Sequence, residues 1–265
     1  MNDFDFDRRF GGIRKLYGAA GLQALREAHV CVIGIGGVGS WAAEALARSA
    51  VGRITLIDLD HVAESNLNRQ IHALESTLGK AKVQAMAERI AEINPACRVE
   101  LIDDFLDLDN LADYLGRGYS AVIDAIDSVK TKTALIAWCR RNKVKLISCG
   151  GAGGQLDPTQ IRIGDLAKTT QDPLLAKVRH NLRREYGFPR DPKKRFEIAA
   201  VYSTEQLVYP QDAGASCEVG EGAGVSGLNC AGFGSCVGVT ASFGLIAASW
   251  VLRKLVERAK NSPVG

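Results

Sequence analysis

The chain has 265 residues, of which 46% are hydrophobic and 24% charged. These proportions exclude disorder as the general state, and the length buries a sizeable core without disulfides. The formal net charge of +3 is too mild to mark a nucleic-acid binder by charge alone. Seven cysteines (Cys31, Cys97, Cys139, Cys149, Cys217, Cys230, Cys236) make an odd number with no C-x-x-C pair. Neither a zinc ribbon nor a thioredoxin motif is therefore written. Residues 2–9 are charged where a secretory segment would be apolar, and a cytoplasmic protein is expected.

In chain order, the apolar run HVCVI (29–33) predicts a buried strand, GIGGVGS (34–40) a tight turn, and WAAEALARSA a helix. RITLID (53–58) predicts a second strand, which completes a βαβ unit. Residues 79–93 predict a helix ended by Asn94-Pro95, 98–102 a strand and 108–115 a short helix. Strands over 119–126 and 144–150 flank a helix over 129–142. QLDPTQIRIGD predicts a strand pair turning near Pro158, residues 172–187 a basic amphipathic helix, and the basic loop after it leads into a strand. Residues 222–252 carry no charge and include seven glycines. That stretch is long enough to cross a bilayer, but a Gly-rich loop followed by a buried or partner-facing helix over about 237–258 describes it better. Membrane contact through 237–258 stays open. The expected fold is α/β: a Rossmann-like, doubly wound, mostly parallel sheet with an elaborated C-terminal part, all within one domain over 1–265.

Gly34, Gly36 and Gly39 fit G-x-G-x-x-G between a strand and a helix. A Cβ there would crowd a pyrophosphate, and the helix N-terminus offers free N–H groups to it. Asp58, at the end of the next strand, stands where an acid accepts ribose hydroxyls. These residues alone fit an NAD-dependent oxidoreductase. The polar run that follows, Asp60 and then Ser65-Asn66-Leu67-Asn68-Arg69-Gln70, leaves the same sheet edge, and Lys82 opens the next helix. A dinucleotide does not call for an added Arg and Lys, whereas the triphosphate of ATP does. Taken singly, Arg69 reads equally as a surface ion-pair partner and Lys82 as a solvated helix residue. Asp127, after the 119–126 strand, is a candidate for Mg²⁺ or for ordering catalytic groups. His72 reads as a polar loop residue.

RFGGIRKLYG, GIGGVGS, LIDLDHVAESNLNRQ, GKAKV and IDAIDS occur in an order and spacing that resembles the ATP-dependent, ubiquitin-activating-like adenylating family over about residues 8–165. GGAGGQLDPTQIRIGDLAKTTQDPL and VYSTEQLVYPQ resemble its branch of tRNA threonylcarbamoyladenosine dehydratases. The resemblance implies ATP-dependent adenylation of the threonyl carboxylate on an anticodon-loop adenosine, then ring closure with release of AMP. It implies a phosphate loop of Gly34, Gly36, Gly37 and Gly39, and Asp58 as the ribose acid with Asp60 beside it. Asn66, Arg69 and Lys82 would be the phosphate-side ligands and Asp127 the Mg²⁺-linked acid, with Arg69, Lys82 and Asp127 catalytic. A homodimer is implied as well.

Two features depart from the sulfur-carrier branch: Gly12 stands where an Arg is usual, with Arg9 or Arg14 as the candidate substitute, and the zinc cysteines are missing. An activating enzyme for a small sulfur-carrier protein, with a sulfur-relay partner, stays as the alternative. It would need a reactive thiol, for which Cys217, Cys230 and Cys236 are the candidates. Arg179, Arg183, Arg184, Lys193, Lys194 and Arg195 form a basic stretch that is either a solvated face or a tRNA contact. The last 100 or so residues would supply substrate choice and dimer contacts.

Overall fold

The computed structural model describes residues 4–209 and 233–261. Seven strands form one sheet: β1 (His29–Ile33), β2 (Arg53–Ile57), β3 (Arg98–Ile102), β4 (Ala121–Asp124), β5 (Leu146–Cys149), β6 (Ile161–Asp165) and β7 (Ala199–Ser203). Their order is β3-β2-β1-β4-β5-β7-β6, and all neighbours are parallel except the antiparallel edge pair β6 and β7.

The strand period of two assigns side chains to opposite faces. Val30, Val32, Ile54, Leu56 and Ile123 pack against α1 (Phe6–Glu27), α2 (Gly39–Arg48), α3 (Lys82–Ile93) and α7 (Val237–Asn261). Cys31, Ile33, Ile57 and Val122 face α4 (Leu111–Leu115), α5 (Val129–Arg141) and α6 (Pro173–Glu185). Both faces are covered, which is why β1 is buried at all five positions.

The expected strand pair in QLDPTQIRIGD is corrected. Asp157 Oδ1 accepts from the Thr159 N–H at 2.9 Å and shapes a 3₁₀ turn over Pro158–Gln160. Only β6 is extended, and its partner is β7, beyond α6. The element that sequence reading left out is α1. Its paired glycines, Gly11 and Gly12, are poor helix formers, yet Asp5 caps it by accepting from the Arg8 N–H, and a single kink at Gly18 (φ +79°) carries the chain on. Gly21 allows α1 close to Val256 of α7.

The uncharged stretch enters the core as α7. Val239, Phe243, Ala247, Ala248, Val251 and Leu252 are buried in the cluster shared with α1 and α2. Gly244 lets α7 cross α2 closely, since a Cβ there would lie 2.2 Å from the Val38 carbonyl oxygen. The helix is long and apolar enough to cross a membrane, but this face is occupied within the protein. Truncating Phe243 to Ala would cost about 3–5 kcal/mol.

The chain crosses from β1 outward to β2 and β3, then returns to β4 on the other side. That switch leaves a crevice beyond the C-terminal ends of β1 and β4, where ligands bind in such sheets.

Candidate active site

A cavity of about 580 Å³ fills this crevice. Its floor is the turn after β1. Gly34 takes φ +84°, and a Cβ there would lie 2.9 Å from the Ala125 carbonyl oxygen. At Gly39 a Cβ would fall 1.8 Å from the Gly34 carbonyl oxygen, so this glycine serves helix–strand packing and does not line the cavity. Gly36, Gly37 and Val38 do line it, immediately before α2, whose free N–H groups favour an anion.

Asp58, after β2, is largely withdrawn from water. Its Oδ2 accepts from the Ile35 N–H at 2.5 Å and its Oδ1 from the Asp60 N–H at 2.8 Å. Burial pushes its carboxyl up from the usual range, against the opposing pull of Lys82 and the two N–H donors. Asp58 thus clamps the glycine turn to the loop after β2.

That loop is anchored on the start of α3 by a bridge between His61 and Ala81 and by the Lys82 N–H donating to the Asp60 carbonyl at 2.9 Å. The anchoring sets Lys82, only 6% exposed, beside Asp60, with Nζ 2.7 Å from Oδ2. An ammonium at a helix N-terminus is opposed by the helix dipole, and Asp60 offsets this.

Arg69 comes from the opposite rim. Trp41 Nε1 donates to its carbonyl at 2.9 Å and fixes its backbone. Its Nη1 donates to the Ser65 carbonyl at 2.8 Å and to Asn68 Oδ1 at 2.9 Å. Both acceptors are neutral, and desolvation lowers its pKa. A Cβ on Gly37 would reach within 3.2 Å of Arg69 Cγ, so the arginine lies directly over the glycine turn.

Asp127 is exposed on the cavity rim after β4. Asn66 is outside the lining, and its Oδ1 instead accepts from the Ala63 N–H at 3.1 Å to hold the turn. Arg9 donates to the Glu92 and Ile93 carbonyls at the end of α3, while Arg14 and Gly12 are exposed.

Several lining residues had no role in the sequence reading. Gln70 is buried with Oε1 unpartnered, and Gly150–Gly153, Phe105, Phe233, Ser235 and Thr240 complete the walls. Beneath them Asp124 and Lys132, both 0% exposed, form an ion pair at 2.7 Å. Ser148 Oγ donates to Asp124 Oδ2 at 2.7 Å, and the Ile126 N–H donates to Asp124 Oδ1 at 3.2 Å. The pair sets the turn that carries Asp127. The first acid of DAIDS and a lysine eight residues later were its only sequence sign.

His72 is not the polar loop residue expected. It is 2% exposed, both ring nitrogens lack partners, and burial lowers its pKa to about 4. Cys236 is half-buried against the core, with Sγ 3.9 Å from the Gln155 carbonyl, while Cys217 and Cys230 lie outside the described residues. In the basic stretch, Arg179 donates to Thr169 Oγ1, and Arg183 donates to the Pro189 carbonyl over the Phe196 ring. Arg184 pairs with Glu185 and Arg195 with Asp165, while Lys193 and Lys194 are exposed. Among the described residues no group of three His, Cys, Asp or Glu could hold a metal ion.

Comparison with known proteins agrees with this architecture. A tRNA threonylcarbamoyladenosine dehydratase of Haemophilus influenzae is 54% identical over 256 residues, 96% of this chain and 95% of that protein. One of Escherichia coli is 56% identical over 254 residues, 95% of each. The crystal structure of an E. coli tRNA N6-threonylcarbamoyladenosine dehydratase in complex with ATP superposes with a TM-score of 0.87 at 52% identity, over 97% of both chains. Residues 9–264 match the ThiF family, and the chain belongs to it.

Proposed function

We propose that this chain uses ATP to dehydrate threonylcarbamoyladenosine in tRNA, through an acyl-adenylate. The observation that carries the reading is the convergence of Arg69 and Lys82 on the cavity that the glycine turn floors. Two cations beside a helix N-terminus suit a triphosphate that loses pyrophosphate. The similar E. coli protein has been crystallised with ATP and with AMP, the substrate and product of such a reaction.

A carboxylate is already ionised at neutral pH, so the first step needs no general base. One carboxylate oxygen attacks the α-phosphorus and pyrophosphate leaves. Asp58 accepts the ribose hydroxyls, Gly36 and Gly37 admit the phosphates, and Arg69 and Lys82 take up charge as it develops. Asp127 fits Mg²⁺, which takes one or two carboxylates with phosphates and so needs no three-residue cluster. When bound, the metal would neutralise phosphate charge. In the second step the carbamoyl group attacks the activated carbonyl within the same molecule and loses a proton. AMP leaves with the former carboxylate oxygen, so the nucleoside loses the elements of water. Intramolecularity supplies much of this rate. A homodimer and a cytoplasmic location belong to the same reading.

The test is incubation with ATP, Mg²⁺ and tRNA bearing threonylcarbamoyladenosine, followed by nucleoside mass spectrometry. The expected result is loss of one water with stoichiometric AMP. Formation of ADP, or an unchanged nucleoside, overturns the reading.

A further inference from the structure

A second pocket of about 380 Å³ lies behind the wall of the nucleotide cavity. No residue lines both cavities, but their walls are joined by direct contacts. Asp172 lines the second pocket, and its Oδ2 accepts at 3.0 Å from the N–H of Gly151, which lines the first. Tyr209 lines the second and Phe233 the first, with ring centroids 5.1 Å apart. The segment carrying Gln206 and Tyr209 is tied to the glycine wall by the Val208 N–H donating to the Gly154 carbonyl at 2.8 Å.

The lining has the chemistry that reads unpaired bases. Tyr209 is 67% exposed and offers a ring face. Gln206 brings an amide able to donate and accept. The Arg179 guanidinium has no carboxylate within 4 Å among the described residues and donates to the Thr169 hydroxyl. Gln171 is held at φ +53° on the rim, a conformation that costs energy away from glycine and clusters at ligand sites. One turn on from Arg179 along α6, Arg183 donates to the Pro189 carbonyl at the head of the loop that carries the exposed Lys193 and Lys194. A phosphate backbone beside the pocket would follow that line. Single-stranded RNA loops are recognised in this way, by a splayed base stacked on an aromatic ring beside cations.

Building on the function proposed above, we propose that this pocket holds a base of the anticodon loop next to the modified adenosine. Seating that base would align the threonyl carboxylate with the adjoining nucleotide cavity. The test pairs Tyr209→Ala with tRNAs carrying a single abasic site at each position flanking the modified adenosine, and it measures tRNA binding, turnover and ATP binding. Tyr209→Ala should weaken tRNA binding about tenfold and leave ATP affinity unchanged. One abasic position should weaken the wild type by a similar factor, and combining the two should add no further loss. Unchanged tRNA affinity in Tyr209→Ala overturns the proposal, as do losses that multiply at every abasic position. A parallel loss of ATP affinity overturns it too, because Tyr209 would then only support Phe233. Wild-type enzyme that forms no AMP with modified tRNA would instead overturn the proposed function.

Discussion

Arg69→Ala separates binding of the nucleotide from its reaction. The wild-type guanidinium is held by two hydrogen bonds to neutral acceptors, Ser65 carbonyl and Asn68 Oδ1. No carboxylate lies within 4 Å of it among the described residues, so truncation orphans no buried charge. The cost to folding should stay within about 1 kcal/mol. The charge itself is only partly solvated, as its lowered pKa records, and it is preorganised over Gly37 by the Trp41 bond to its backbone. A preorganised donor facing developing charge is worth about 3–4 kcal/mol, so kcat should fall by about 10²–10³. Arg69→Lys should recover part of this, because it keeps the charge and loses the planar fork. Single-turnover formation of AMP from ATP and modified tRNA reads the effect, with urea midpoints as the control. Turnover within about threefold of wild type at an unchanged midpoint would refute the assignment, as would a loss confined to the KM for ATP.

Asp124→Asn and Lys132→Met should each lower stability by about 3–5 kcal/mol, because each leaves a buried charge unpaired. The double variant Asp124→Leu/Lys132→Met should recover much of that in urea denaturation, and a single variant of wild-type stability would refute the account. His72 is neutral when folded, with its pKa lowered to about 4. Below pH 6.5 the unfolded chain takes up a proton that the folded one refuses until about pH 4. Its contribution is therefore complete above pH 6.5 and declines below it by about 1.4 kcal/mol per pH unit. His72→Phe should be flatter across that window, and urea midpoints at pH 7 and pH 4.5 that shift equally in both proteins would contradict this. Gly36→Ala should melt like the wild type, because its Cβ meets only Gln70 Nε2 at 4.0 Å, and should bind ATP about tenfold more weakly. Gly39→Ala, with its Cβ 1.8 Å from a carbonyl oxygen, should fail to fold, and a soluble, fully active Gly39→Ala enzyme would break the packing argument.

Most residues legible from sequence lie within a few positions of a strand end or helix start; Arg69, midway along the loop between β2 and α3, was legible only as part of the polar run from Ser65 to Gln70. Gly34 follows β1, Asp58 follows β2 and Lys82 opens α3, so the topology of a parallel sheet gathers them without further information. Asn66 and Gly39 belong to the same motifs but do the mechanical work beneath the site, which spacing alone does not distinguish from ligand contact. What stayed hidden depends on pairings across the fold. The partner of β6 is β7 because α6 returns the chain beside it, and the Asp124–Lys132 pair joins a strand to a helix below the cavity. The late uncharged stretch shows the limit most clearly, since its composition fitted a core helix, a membrane helix and a subunit contact alike. Packing assigns the face of Val239 and Phe243 to the core. It also gives the stretch a role at the site. Ser235, just before α7, accepts from Asn68 Nδ2 at 3.0 Å, and Asn68 is also an acceptor for Arg69. The least charged segment of the chain thereby braces the arginine on which the proposed chemistry depends.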